Sequence, residues 1–159
     1  MATRRRAEIV TEYLEPVSVR ALGDLLGLGE VHADTLQRWF HGLSSALVNK
    51  ALDENGQLVN RAAFDFADQI KAEIQATVRP IIDRVTTAPD DSSLSHWVHD
   101  GTEPGHPRSA DELWPTLYVF LLGAMQEPGH AAANTLLGLF GRPEQFAHCL
   151  LYTSPSPRD

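Results

Sequence analysis

The sequence predicts an all-α protein. Apolar residues recur three and four positions apart over most of the 159 residues, which is the spacing of a helix face. No stretch alternates apolar and polar residues as a half-buried strand would, and no segment repeats another. Prolines, glycines and short polar clusters divide the helical pattern into separate segments.

Residues 7–14 read as a short helix ended by Pro16. Ser18 caps the next, with Val19, Leu22, Leu25 and Leu26 on one face and Gly27 and Gly29 stopping it. Residues 34–48 form a third helix with the stripe Leu36, Trp39, Phe40, Leu43 and Leu47. Asp53-Glu-Asn-Gly56 is a turn. From Asn60 a long helix carries Ala63, Phe66, Ile70, Ile74, Val78, Ile81, Ile82 and Val85, with a bend expected at Pro80. Residues 92–99 are a short helix, and 100–108, with Gly101, Pro104, Gly105 and Pro107, a loop. Ser109-x-x-Glu112 reads as a capping box opening a last long helix that Pro143 closes. Pro115 is late for a first-turn proline, so that helix is expected to start up to one turn later.

Inside this last helix lies Leu121-Leu-Gly-Ala-Met-Gln-Glu-Pro-Gly-His130. Apolar helical pattern continues on both sides, through Leu113, Leu117 and Phe120 before it and Leu136, Leu137 and Phe140 after it. A proline in mid-helix removes one hydrogen bond and crowds the carbonyl one turn back, at a cost of about 3 kcal/mol. A core helix that keeps such a defect beside a carboxamide and a carboxylate is expected to use the notch.

Three elements in order resemble the cytochrome P-450 superfamily of haem-thiolate monooxygenases. Glu15-Pro-Val-Ser-Val-Arg-Ala-Leu-Gly-Asp-Leu-Leu-Gly27 is similar to its Pro-Val-Arg…Leu-Leu-Gly element, and Pro89-Asp-Asp-Ser-Ser-Leu-Ser-His-Trp-Val98 to its Pro-x-Asp-Asp-leucine helix. Gly123-Ala-Met-Gln-Glu-Pro128, spaced back from Arg142-Pro-Glu-Gln145, falls on the family's Ala-Gly-x-acid-Thr-Thr groove. Its wording looks most like the bacterial aromatic O-demethylase branch, the guaiacol type. The resemblance implies that residues 1–148 are the middle helical portion of that fold, truncated at both ends and including the long central oxygen-groove helix. It implies haem b as cofactor in a full-length parent, dioxygen and a small aromatic substrate, and an NAD(P)H-dependent reductase or ferredoxin as electron donor. The family's Glu-x-x-Arg pair and its Phe-x-x-Gly…Cys-x-Gly loop do not occur in the sequence. The haem-ligating cysteine is therefore expected elsewhere, the piece alone is expected to be inactive, and apolar faces meant for missing helices are expected to stay open.

The resemblance also assigns roles. Gly123, Ala124 and Pro128 fall on the oxygen groove and its haem contact. Gln126 and Glu127 occupy the positions of the usual acid–alcohol pair, which implies a proton relay through Glu127 and a water oriented by Gln126. Such a carboxyl needs partial burial to hold a proton near neutral pH. Val119, Leu122, Gly123 and Gln126 share one helix face by their spacing, with Gly123 leaving room for a flat ring. Leu47 matches the roof of the family's pocket.

Composition removes other classes. The net charge of −8 argues against nucleic acid, and Arg4-Arg-Arg6 is a solvated helix face. The most apolar run, residues 113–125, holds Pro115 and Thr116 and is too short for a membrane span, and no signal-peptide pattern opens the chain. A bacterial cytoplasmic location is the expectation. His96, His99 and His106 have helical ligand spacing but no completing carboxylate or cysteine, so no metal site is expected. Residues 149–159 resemble a transposase sequencing adapter translated in frame, an artefact tail that takes Cys149 out of redox reasoning. The second class is a non-catalytic helical ligand-binding or regulatory module, which leaves the Pro-Gly break unexplained.

Overall fold

The computed structural model describes residues 7–152, which form seven α-helices. The only β-type pairing among them is an isolated bridge between Leu52 and Leu58. Arg4–Arg6 and residues 153–159 lie outside the described residues.

The first expectation to fail concerns Pro16. A π-helical turn, Val10–Leu14, runs directly into α1, Glu15–Leu26, and Pro16 sits in the first turn of α1. There the fixed φ of proline suits the helix. Ser18 accordingly is no cap. It lies on the buried face of α1 with Val19, Leu22 and Leu26, while Leu25 is exposed. Gly27 ends α1 at φ 85°, a left-handed conformation that glycine adopts without a Cβ clash, and Leu28 N–H closes the end on the Gly23 carbonyl at 2.7 Å.

Helix α2, Ala33–Val48, begins where the His32 ring accepts the Asp34 N–H, and it buries Leu36, Trp39 and Leu43. The turn that follows is organised by Asp53, whose Oδ1 accepts the N–H groups of Asn55 and Gln57 at 2.8 Å each. Helix α3, Arg61–Thr87, is capped by Asn60 and continues through Pro80. Its buried stripe is Ala63, Ala67, Ile70, Ile74, Val78, Ile81, Ile82 and Val85. Phe66 was expected on that stripe but is exposed. Ala67 holds the position between Ala63 and Ile70, which turns its neighbour outward.

Helix α4, Ser93–His99, is capped by Ser92 and followed by the expected loop. The capping box forms at Ser109, whose N–H donates to Glu112 at 2.8 Å, and α5 spans Ala110–Gly123. Pro115 is thus inside the helix, and the start is not delayed. The single long helix expected beyond it is instead two, α5 and α6, Glu127–Phe140. Pro143 does not end a helix but opens α7, Pro143–Tyr152, which passes through Cys149.

One apolar core joins α1 to α5, with Trp39, Ile74, Leu94, Leu117 and Leu121 deep inside. Exposed apolar side chains lie on α5 and α6, at Val119, Leu137 and Phe140. α2 and α3 approach closely because Gly42 has no side chain to meet Ile70. Across the same junction Glu73 accepts the buried Trp39 indole N–H at 2.9 Å and pairs with Arg38. The Arg38 hydrogen bond holds the Glu73 carboxyl below its ordinary pKa. A lowered carboxylate pKa contributes stability above the unfolded value, about 4.3, and that contribution disappears as pH falls through the folded value. Glu73→Gln is therefore expected to narrow the gap between the urea midpoints at pH 7 and pH 3, with the difference arising at pH 7.

Candidate functional site

The break between α5 and α6 consists of Ala124, Met125 and Gln126. Its cause is local. Pro128 offers no N–H to Ala124, so a continuous helix would lose that bond and crowd the carbonyl. By restarting at Glu127, the chain moves Pro128 into the first turn of α6, where it costs nothing. The mid-helix defect read from the sequence is thus relieved, and what remains is a three-residue gap between two helices.

Helix α1 holds this gap in place. The Ser18 hydroxyl donates to the Met125 carbonyl at 2.8 Å, a buried bond. Gly129 packs on the end of the π-helical turn so closely that a Cβ there would lie 2.9 Å from the Leu14 carbonyl oxygen. Glu15, 7% exposed, accepts from Gln37 Nε2 and lies against His130 Nε2, each at 3.2 Å. None of these partners was found from the sequence. Glu15 and His130 are 115 positions apart, and no periodicity links two residues at that separation. Ser18 was read as a cap because serine suits either role.

The sequence-predicted residues divide around the gap. Gln126 is 5% exposed, and its Nε2 is the one buried side-chain polar atom without a partner among the described residues. A buried donor left in that state costs about 1–3 kcal/mol, so the position is set up for an acceptor. Met125 is fully buried beside it. Glu127 and Pro128 are exposed, so the burial expected for a proton-holding Glu127 is not supplied by the residues around it. Val119 is 67% exposed and Leu122 half-buried against the core. Gly123 is exposed, with no atom within 4 Å of where a Cβ would stand. The face assembled from spacing is therefore open at Val119 and Gly123 and buried at Gln126, because the helix ends between them. Leu47, at the end of α2, is exposed.

An apolar cavity of about 320 Å³ lies against the gap, walled by Ser18, Leu22, Leu25, Phe120, Ala124 and Pro128. Glu15 itself lines a second, more polar cleft together with Asp34, Gln37, Arg38 and His41. Two of the histidines at helical ligand spacing, His96 and His99, make hydrogen-bond contacts within the fold. His96 pairs with Asp100 at 3.1 Å, and the His99 ring lies 3.0 Å from the Val85 carbonyl. No group of three metal-ligating side chains occurs among the described residues. Trp97 packs on Phe120, and Trp114 stacks with Tyr118. No described helix is long and apolar enough to cross a membrane.

No family model matches the chain. Over 140 residues, 88% of this chain, it is 22% identical to YjiB of Bacillus subtilis (strain 168), a protein whose name assigns it to the cytochromes P450. The chain spans 34% of the length of that relative. The helical architecture agrees with a helical portion of such a protein, and the likeness, distant as it is, reaches the cytochrome P450 superfamily and no finer branch.

Proposed function

We propose that this chain carries the oxygen-groove and substrate-side helices of a haem-thiolate monooxygenase that hydroxylates or O-demethylates a small aromatic compound. The observation that carries the reading is the helix gap itself. On one side it buries an unpartnered carboxamide, Gln126, and on the other it leaves an apolar wall, Val119 and Gly123, open. That pairing of an unmet hydrogen-bond donor with a bare apolar face suits a flat, largely apolar group with water beside it.

Haem b fits this wall in part. Gly123 has empty space before it, and Ala124 and Pro128, which wall the apolar cavity at the gap, would supply the rest of the haem contact. The chain does not hold the thiolate. Its single thiol, Cys149, is exposed on α7, so in this reading the ligand comes from a stretch outside these residues, in a longer protein of which 1–148 is the middle. Bound haem would supply the oxygen chemistry, with electrons from an NAD(P)H-dependent reductase or a ferredoxin. The chain's own groups then divide the remaining work. Gln126 Nε2 orients a water in the gap, Glu127 holds and passes a proton, and Gly123 with Val119 and Leu122 seats the aromatic ring under a roof that includes Leu47. Burial of Glu127 by the rest of such a protein is the condition for its carboxyl to carry a proton near neutral pH.

The experiment is a reduced carbon-monoxide difference spectrum of two proteins. The chain as given, reconstituted with haem, is expected to lack the thiolate signature. A longer gene product containing it, together with a Glu-x-x-Arg pair and a Phe-x-x-Gly…Cys-x-Gly loop, is expected to show it. A longer product that takes up no haem would favour the alternative, a helical ligand-binding or regulatory module without chemistry.

A further inference from the structure

We propose that the cleft between α1, α2 and α3 binds a small organic cation, an ammonium or amidinium on an apolar body, with Glu15 as its anchor. Glu15 is a buried carboxylate, 7% exposed, and it lines this cleft of about 510 Å³. That volume is in the range of small-molecule sites. A carboxylate removed from water needs a positive partner or a full set of donors. No lysine or arginine pairs with Glu15 among the described residues. Its two contacts are the Gln37 amide and the His130 ring, each at 3.2 Å. Charge-assisted bonds are shorter, about 2.7–2.9 Å. His130 is charged only when protonated, and it stands on α6 rather than in the lining of the cleft. A carboxylate has about four lone-pair sites, so acceptor capacity is left over.

The one arginine in the lining is committed elsewhere. Arg38 directs both terminal nitrogens to Glu73 instead of the buried carboxylate. Asp34, Gln37, Arg38 and His41 follow at i, i+3, i+4 and i+7, so one face of α2 forms the wall. Asp34 adds a second, exposed carboxylate, and the Gln37 side-chain carbonyl is a further acceptor beside Glu15. Phe66 of α3 contributes an exposed aromatic ring on which the body of such a cation rests. With Arg38 balanced by Glu73, the cleft keeps the charge of Glu15 and Asp34, which selects a cation over an anion. None of these residues belongs to the groove assigned to haem and substrate, so the site is independent of that reading.

Benzamidine titrated into the chain as given, followed by amide chemical shifts, tests the site, with benzamide as the uncharged control of the same shape. Benzamidine is expected to shift the amides of Gln37, Arg38 and His41 and to saturate below about 10 mM, while benzamide leaves them in place. Glu15→Gln keeps the hydrogen-bonding shape and removes the charge, and it is expected to weaken binding about tenfold or more. Phe66→Ala is expected to weaken it less. Absence of saturation in that range, equal shifts from benzamide, or unchanged affinity in Glu15→Gln would each overturn the proposal. Should Glu15→Gln lose the dispersed spectrum of the folded chain, Asp34→Asn and Phe66→Ala decide, because both side chains are exposed and their loss spares the fold. Weaker binding in both supports the site, and unchanged binding in either overturns it.

Discussion

Trp39→Ala is expected to unfold the chain or come close to it. Trp39 is fully buried between α2 and α3, in the junction where Gly42 meets Ile70. Truncating a buried tryptophan costs about 3–5 kcal/mol through lost contacts and the cavity left behind. A domain of this kind has about 5–15 kcal/mol in total. The loss is compounded at Glu73, which keeps Arg38 but no longer receives the indole N–H. Trp39→Phe separates the two contributions, because it keeps most of the volume and removes only the donor. Urea midpoints should fall slightly for Trp39→Phe and drop out of the measurable range for Trp39→Ala. Equal, small shifts in both variants would show that this junction does not hold the core.

Glu127→Gln has the largest effect on activity expected under the proposed function. In a longer enzyme containing this segment, the amide keeps the shape of the carboxyl but cannot release a proton. Substrate affinity is expected to change little, while product formed per NAD(P)H consumed falls about 100-fold, the scale of losing a positioned proton donor, and peroxide rises. Gln126→Ala is expected to do less, since it orients a water rather than carrying the proton. Coupling that is unchanged in Glu127→Gln would return Glu127 to the role its exposure here describes, a solvated residue in the first turn of α6.

The two variants probe different levels of the structure, and the sequence informed them unequally. The helices of the core were legible because burial in a helix imposes a spacing that survives in the sequence. Leu36, Trp39 and Leu43 on α2, and Ile70, Ile74 and Val78 on α3, could be assigned from that spacing alone. One cap was equally plain, the Ser109–Glu112 box, whereas Asn60 and Ser92 were read as helix residues and prove to be caps. The prolines were misjudged, and for one reason. Pro16, Pro128 and Pro143 each open a helix rather than end or notch one, and only the placement of the neighbouring turn distinguishes these outcomes.

By itself, then, the sequence determined that the chain is helical, where most helices lie, which faces are apolar, and that something must happen at Pro128. Only the tertiary structure decided what happens there. The break takes its form from α1, through Ser18, Glu15 and the seat of Gly129, and these contacts join residues more than a hundred positions apart. A local pattern records the conformations a segment tolerates. Which one it adopts depends on contacts from elsewhere in the chain, here the Ser18 hydroxyl on the Met125 carbonyl.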